Sequence, residues 1–192
     1  MSRSKAFDPD TALDRALDLF WERGYEATSM ADLVERLGVA RASIYATFGG
    51  KQELFAKALQ RYLDRTDPRI TAELSQPGPV LPAVKALIER YAEAAVDDRR
   101  LGCLVVNSAV ELAGRDARVA RLVESSWAHL EATLTSALLR AAAQGELSGA
   151  VDPRSSARFL LVFLQGVRVL ERTPDAGPRL RDATRVALTT LS

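Results

Sequence analysis

Apolar residues recur at helical spacing along almost the whole chain. In the first segment, "DPDTALDRALDLFWERG", Leu13, Leu17 and Phe20 stand three or four residues apart, as they do on one face of an α-helix. An aspartate–proline pair precedes this stripe and a glycine follows it, which are typical start and end signals of a helix. The alternating pattern of strands is almost absent, so the sequence predicts an all-α fold of about nine helices.

The segment that follows predicts two short helices joined by a tight turn. "TSMADLVERLG" places Ser29 three residues before Asp32, the spacing of a capping box, and ends at Gly38. "RASIYATF" then predicts a helix of about two turns. Two helices joined by such a turn form a helix-turn-helix, whose second helix enters the DNA major groove. An ordinary corner between two helices with solvated polar residues has the same pattern, and the residues alone leave both interpretations open.

A segment rich in proline, "DPRITAELSQPGPVLP", interrupts the helical pattern in the first half of the chain. It favours a division into a helix-turn-helix domain over 1–50 and a larger helical domain over 51–192, which begins with a linking helix over about 51–67. Further helices are predicted over about 80–97, 101–114, 116–146, 154–173 and 176–191.

Composition excludes several classes of function. The chain of 192 residues is 47% hydrophobic and has a net charge of +1, so DNA binding would depend on individually placed cations. A single Cys and a single His make neither a disulfide nor a common zinc site. No catalytic triad or phosphate-binding glycine loop is recognisable, and we expect no enzyme activity, cofactor or metal. Without a long apolar run or a secretory start, we expect a cytoplasmic protein with no membrane partner.

The stretch "TSMADLVERLGVARASIYATFGGKQELF" resembles the DNA-binding region of the TetR family of transcriptional repressors. The likeness covers about residues 8–57. It implies a homodimer that binds a palindromic operator in double-stranded DNA, with a helical body that binds an inducer. By motif position it implies DNA contacts from Thr28, Ser29, Arg41, Ala42, Ser43, Tyr45, Thr47 and Lys51.

Two residues depart from that family pattern. Val34 stands where the family usually has alanine, and Ala42 stands where glycine is common. Val34 bears on how closely the second and third helices approach each other, and Ala42 adds a methyl group at the DNA face, so base preference does not carry over from the family.

A polar strip in the body of the protein is a candidate ligand site. Cys103, Asn107 and Glu111 recur at four-residue steps and so share one face of a predicted helix. The strip lines either a cavity or a buried polar network. Its Gly-Cys pair followed by asparagine also resembles the electrophile-sensing subgroup of the family. Aromatic candidates for the pocket are Trp127, Phe159 and Phe163.

The segment "ARFLLVFLQGVRVL" is apolar nearly all round, which in a helix of a soluble protein indicates cover on more than one side. With the last helix it predicts a four-helix bundle between two copies. Candidate interface residues are Val162, Val169, Leu180, Ala183, Ala187 and Leu191.

These patterns together predict a ligand-responsive transcriptional repressor that binds a palindromic operator as a homodimer. The alternative is a dimeric helical module that binds a small molecule and does not bind DNA.

Overall fold

The computed structural model describes residues 7–93 and 101–192, and within them the chain forms nine α-helices and no strand. The predicted all-α class is confirmed. The final residues of the predicted helix over 80–97 lie outside the described part. The helices are α1 Pro9–Arg23, α2 Met30–Leu37, α3 Arg41–Phe48, α4 Lys51–Leu74, α5 Leu81–Glu93, α6 Leu104–Glu111, α7 Ala117–Ala143, α8 Pro153–Leu170 and α9 Ala176–Thr189.

Helix α1 begins and ends as its sequence predicts. The Asp8 carboxylate accepts hydrogen bonds from the backbone N–H groups of Asp10 and Thr11, each at 3.2 Å. Gly24 ends the helix at φ 82°, and its N–H donates to the Phe20 carbonyl at 2.8 Å. Polar groups at both helix ends are therefore satisfied locally.

Helix α4 is longer than the linking helix predicted over about 51–67, because it continues through Pro68 to Leu74. Proline has no N–H for the carbonyl four residues earlier, and inside a helix it costs about 3 kcal/mol or more. Leu63 and Leu74, on either side of the proline, are buried, and Ile70 packs against the same core as Leu74. Burial of these side chains offsets the cost of the proline, so this residue does not end the helix.

The chain folds into two compact units. Unit 1 comprises Met1–Asp64 and Asn107–Val123, and unit 2 comprises Arg65–Val106 and Glu124–Ser192. In unit 1 the rings of Phe20 and Phe55 meet edge to face at 5.0 Å, and Tyr25 meets Phe55 in the same way at 5.2 Å. Leu33 and Ile44, from α2 and α3, are fully buried. This aromatic and aliphatic core fixes the short helices α2 and α3.

The core of unit 2 is built by α5, α7, α8 and α9 together with the end of α4. Its buried members include Val84, Leu87, Leu134, Leu138, Leu160, Leu164, Ala187 and Leu191. No helix in the described part of the chain is long and apolar enough to cross a membrane.

Candidate DNA interface

Helix α2 begins at the predicted capping box. Asp32 N–H donates to Ser29 Oγ at 3.1 Å, and Ser29 N–H donates to Asp32 Oδ2 at 2.7 Å. The Asp32 pKa lies below its ordinary value, chiefly because the Ser29 hydroxyl and then its backbone N–H donate to the carboxylate. Arg23 pairs with the other oxygen of Asp32 at 2.9 Å. Ser29, which is exposed, is therefore held at the amino-terminal end of α2.

The turn between α2 and α3 depends on Gly38. Its φ of 69° lies in the left-handed region, and its N–H donates to the Val34 carbonyl at 3.0 Å. Any residue with a side chain is strained at such a φ. The turn leads into α3, which buries Ile44 and Phe48 against the unit 1 core.

The opposite face of α3 is open. Arg41, Ala42, Tyr45 and Thr47 are exposed, and Ser43 is half-buried. The Arg41 guanidinium lies 5.8 Å from the Tyr45 ring centroid, and no carboxylate pairs with it within the described residues. One short helix therefore presents a cation and an aromatic hydroxyl one turn apart, and on another flank two aliphatic hydroxyls one turn apart.

Lys51 opens α4, three residues after the end of α3, and lies over the ring of Tyr25, with Nζ 4.1 Å from the ring centroid. Tyr25 is itself fixed by its contact with Phe55 and by its backbone N–H, which donates to Glu111 Oε2 at 2.8 Å. A cation above an aromatic face is attracted electrostatically, so Tyr25 restrains the ammonium group. This role of Tyr25 was not predicted from the sequence, although an aromatic residue directly after Gly24 is its signal.

Thr28 differs from the other predicted DNA contacts. It is 0% exposed, and its hydroxyl donates to the Gly24 carbonyl at 2.7 Å. The hydroxyl is used inside unit 1 and is not presented to a phosphate, so Thr28 is left out of the interface proposed below.

The predicted polar strip does not lie wholly on one helix. Cys103 precedes α6 and belongs to unit 2, whereas Asn107 and Glu111 lie on α6 in unit 1. The Glu111 carboxylate is already bonded to the Tyr25 N–H. The residue therefore has a structural role that the four-residue spacing did not reveal.

The predicted aromatic residues also separate. Trp127 lines a surface cavity of about 570 Å³ between α7 and α8, together with Glu131, Leu139 and Leu161. Phe159 and Phe163 stack on each other on α8 with centroids 6.2 Å apart, and neither lines that cavity.

The predicted interface residues divide between surface and core. Val162 and Val169 are 70% and 51% exposed, and Ala183 is also exposed. Three other predicted interface residues pack inside unit 2 at 2% exposure or less and are not presented to a second copy: Leu180, Ala187 and Leu191. On α9 a large apolar side chain that is exposed is Val186, at 61%.

Comparison with known protein families shows which family the chain belongs to. Residues 12–58 match "Bacterial regulatory proteins, tetR family", and residues 80–187 match "Tetracyclin repressor-like, C-terminal domain", which alone spans more than half of the chain. The chain belongs to the TetR family. Its relatives are transcriptional regulators and not enzymes.

Two TetR-family relatives align over nearly their whole length. The uncharacterized HTH-type transcriptional regulator YezE of Bacillus subtilis (strain 168) is 36% identical over 193 residues, which is 100% of both chains. The HTH-type transcriptional repressor ComR of Escherichia coli (strain K12) is 36% identical over 98% of this chain and 90% of its own.

Solved structures of the TetR family share the fold. A cysteine mutant of the regulator CifR, complexed with 26-bp double-strand operator DNA, superposes with a TM-score of 0.84 at 31% identity over 100% of both chains. The reduced form of E. coli NemR has a TM-score of 0.83 at 18% identity and covers 95% of this chain and 96% of its own, which supports the fold alone.

Proposed function

We propose that this TetR-family protein is a homodimeric repressor that binds a near-palindromic operator through α3 and releases it when a small molecule binds. The observation that carries this proposal is the division of α3, which buries Ile44 and Phe48 while exposing Arg41 and Tyr45. The DNA-bound CifR structure, of the same fold, supports it. Residues 1–50 supply DNA binding, residues 51–192 supply ligand binding and dimerisation, and α4 links them.

In this proposal Arg41 reads base edges in the major groove. A guanidinium donates two parallel hydrogen bonds, and its commonest specific partner in DNA is guanine. Arg41 stands at the first position of α3, where the recognition helix of a helix-turn-helix meets the bases. Ala42 adjoins it with a small apolar surface.

The remaining polar groups contact phosphates and fix the orientation of the reading helix. Ser29 is exposed at the amino-terminal end of α2, where the helix dipole favours an anion, and its hydroxyl and N–H also donate to Asp32. Ser43, Tyr45 and Thr47 offer hydroxyls from α3, and Lys51 offers an ammonium from α4. Because the net charge of the chain is only +1, attraction to DNA depends on these individually placed groups.

Dimerisation is proposed through the exposed apolar faces of α8 and α9. Val162, Gly166 and Val169 follow one another at intervals of four and three residues, so they share one face of α8. A Cβ at Gly166 would meet, among the described residues, no side chain and no other helix within 4 Å, and a glycine there permits close approach of a second helix. Ala183 and Val186 extend this surface on α9.

Release by a small molecule is proposed from the cavities of unit 2. Cavities of about 490 and 570 Å³ fall in the range of small-ligand sites in proteins. A ligand that prefers one conformation of the dimer shifts the population toward it. Operator affinity falls when that conformation holds the two reading helices at the wrong separation.

Footprinting on the DNA upstream of the protein's own gene tests the proposal. We expect two protected half-sites about 34–36 Å apart from centre to centre. The affinity for that duplex is expected to fall steeply with salt, because each neutralised phosphate releases condensed cations. Absence of protection together with a salt-independent affinity would instead support a ligand-binding module that does not bind DNA.

A further inference from the structure

The side chain of Tyr45 connects the reading helix α3 with the turn that follows it. One edge of its ring lies against Gly50, since a Cβ placed on that glycine would stand 3.4 Å from Tyr45 Cε1 and 3.7 Å from Cδ1. The Tyr45 carbonyl accepts a hydrogen bond from the Gly49 N–H at 2.9 Å. Gly50 is buried, whereas Tyr45 is 47% exposed. The backbone and the ring of Tyr45 are therefore both held at the carboxyl end of α3, and much of the ring stays accessible.

The face of the same ring lies beneath Arg41. Arg41 and Tyr45 are four residues apart on α3, so they stand on one side of the helix. The distance of 5.8 Å from the guanidinium carbon to the ring centroid is within the range of about 6 Å over which an aromatic face attracts a cation. Gly50, Tyr45 and Arg41 thus form a series of contacts that runs from the turn to the first residue of α3.

An arginine that reads a base must hold its guanidinium plane in one orientation. The side chain is long and flexible, and binding removes its rotamer entropy. A guanidinium that already lies over a fixed ring loses less of this freedom. Because paired hydrogen bonds to guanine require the guanidinium plane to match the base edge, its orientation affects discrimination between bases as well as affinity.

We propose that Tyr45 is a positioning residue for Arg41, whose ring, supported by Gly50, holds the guanidinium in the orientation that discriminates between base pairs. This inference rests on the proposed operator binding through α3. It gives the two parts of Tyr45 different effects. The hydroxyl contacts a phosphate and adds affinity for any sequence, whereas the ring acts through Arg41 on sequence preference.

Two variants of Tyr45 separate these effects. Tyr45→Phe removes the hydroxyl and keeps the ring, and Tyr45→Leu removes both but keeps an apolar side chain. Circular dichroism checks that both variants are folded. Fluorescence anisotropy measures their affinities for the footprinted operator and for duplexes in which one base pair is changed in both half-sites. The informative duplex is the one whose change weakens binding of the native protein but not of Arg41→Ala.

The ratio of the affinities for the operator and for the informative duplex measures discrimination. We expect Tyr45→Phe to bind both duplexes more weakly than the native protein does and to keep the native ratio. Tyr45→Leu should lower the ratio about two- to fivefold, the effect of losing an exposed contact between a cation and an aromatic ring. A native ratio in Tyr45→Leu, an equal fall in Tyr45→Phe, or the lack of any informative duplex would overturn the proposal.

A measurement without DNA distinguishes failure of this inference from failure of the proposed function. NMR relaxation of the arginine Nε–H groups reports their mobility on the picosecond to nanosecond timescale. In the native protein and in Tyr45→Phe, we expect Arg41 to be less mobile than Arg121, an exposed arginine on α7. In Tyr45→Leu the two should be equally mobile.

Equal mobility of Arg41 in the native protein and in Tyr45→Leu would refute the positioning role, whatever the protein binds. A restrained Arg41 in a native protein that does not bind the operator would refute the proposed function, and base reading by Arg41 with it.

Discussion

The carboxylate of Glu111 accepts a hydrogen bond from the backbone N–H of Tyr25, with 2.8 Å between Oε2 and N. The bond joins α6 to the segment between α1 and α2 within unit 1. A side chain on Gly24 would overlap the same carboxylate, so the glycine also provides room for it. Tyr25 in turn lies beneath Lys51, and one carboxylate thus supports the position of a proposed phosphate contact.

Removing this carboxylate should destabilise the protein. Glu111→Ala leaves the Tyr25 N–H without its partner, and we expect the free energy of unfolding to fall by about 1–3 kcal/mol. Glu111→Gln keeps an acceptor oxygen and should lose less. Urea denaturation measures both. The control is Val110→Ala, because Val110 is 81% exposed on the same helix; equal stability of Glu111→Ala and this control would show that the hydrogen bond contributes nothing.

Acid should destabilise unit 1 partly through Asp116. Its pKa is lowered from the ordinary 3.8, mainly because Gln52 Nε2 donates to it at 2.6 Å, and further because the N–H groups of Val119 and Arg118 donate to it. The ionised group therefore stabilises the fold above the unfolded pKa, and this stability is lost as pH falls through the lower folded pKa.

Asp116→Asn should therefore show a smaller drop in unfolding free energy between about pH 6 and about pH 3 than the native protein. Some pH dependence remains in the variant, because the pKa values of Asp8, Asp32 and Asp152 are also lowered by hydrogen bonds. Chemical denaturation at the two pH values provides the comparison. An unchanged pH dependence in the variant would exclude Asp116 as a contributor.

Local signals predicted the amino-terminal helices well. The caps at Asp8 and Ser29 and the turn at Gly38 depend on residues next to one another in the chain, and the structure has all three. Their physical causes are hydrogen bonds and backbone angles that a short stretch of sequence determines by itself.

The features that the sequence did not predict depend on packing between residues far apart in the chain. Pro68 is a local signal for a helix end, but burial on both sides of it carries α4 onward. On α9, periodicity identified an apolar face with Leu180 and Leu191 and could not tell which neighbour covers it. The roles of Glu111 and Thr28 depend on partners that folding brings to them, so spacing alone did not reveal those roles.

A charge on the outward face of α8 should prevent dimerisation. Val162→Asp places a carboxylate at the centre of the proposed interface, where burial of an unpaired charge is costly. We expect a folded monomer by sedimentation velocity at micromolar concentration. Val110→Asp, at another exposed valine, is the control and should remain dimeric. A monomeric native protein, or a dimeric Val162→Asp variant, would contradict the interface.

Operator binding through α3 is the central claim, and Arg41→Ala tests it most directly. The measurement is fluorescence anisotropy of the footprinted duplex against native protein, Arg41→Ala and Arg121→Ala, an exposed arginine on α7. Loss of a base contact should weaken binding by about 1–3 kcal/mol in Arg41→Ala, while Arg121→Ala binds as the native protein does. Native affinity in Arg41→Ala, or an equal loss in the two variants, would remove α3 from the DNA interface.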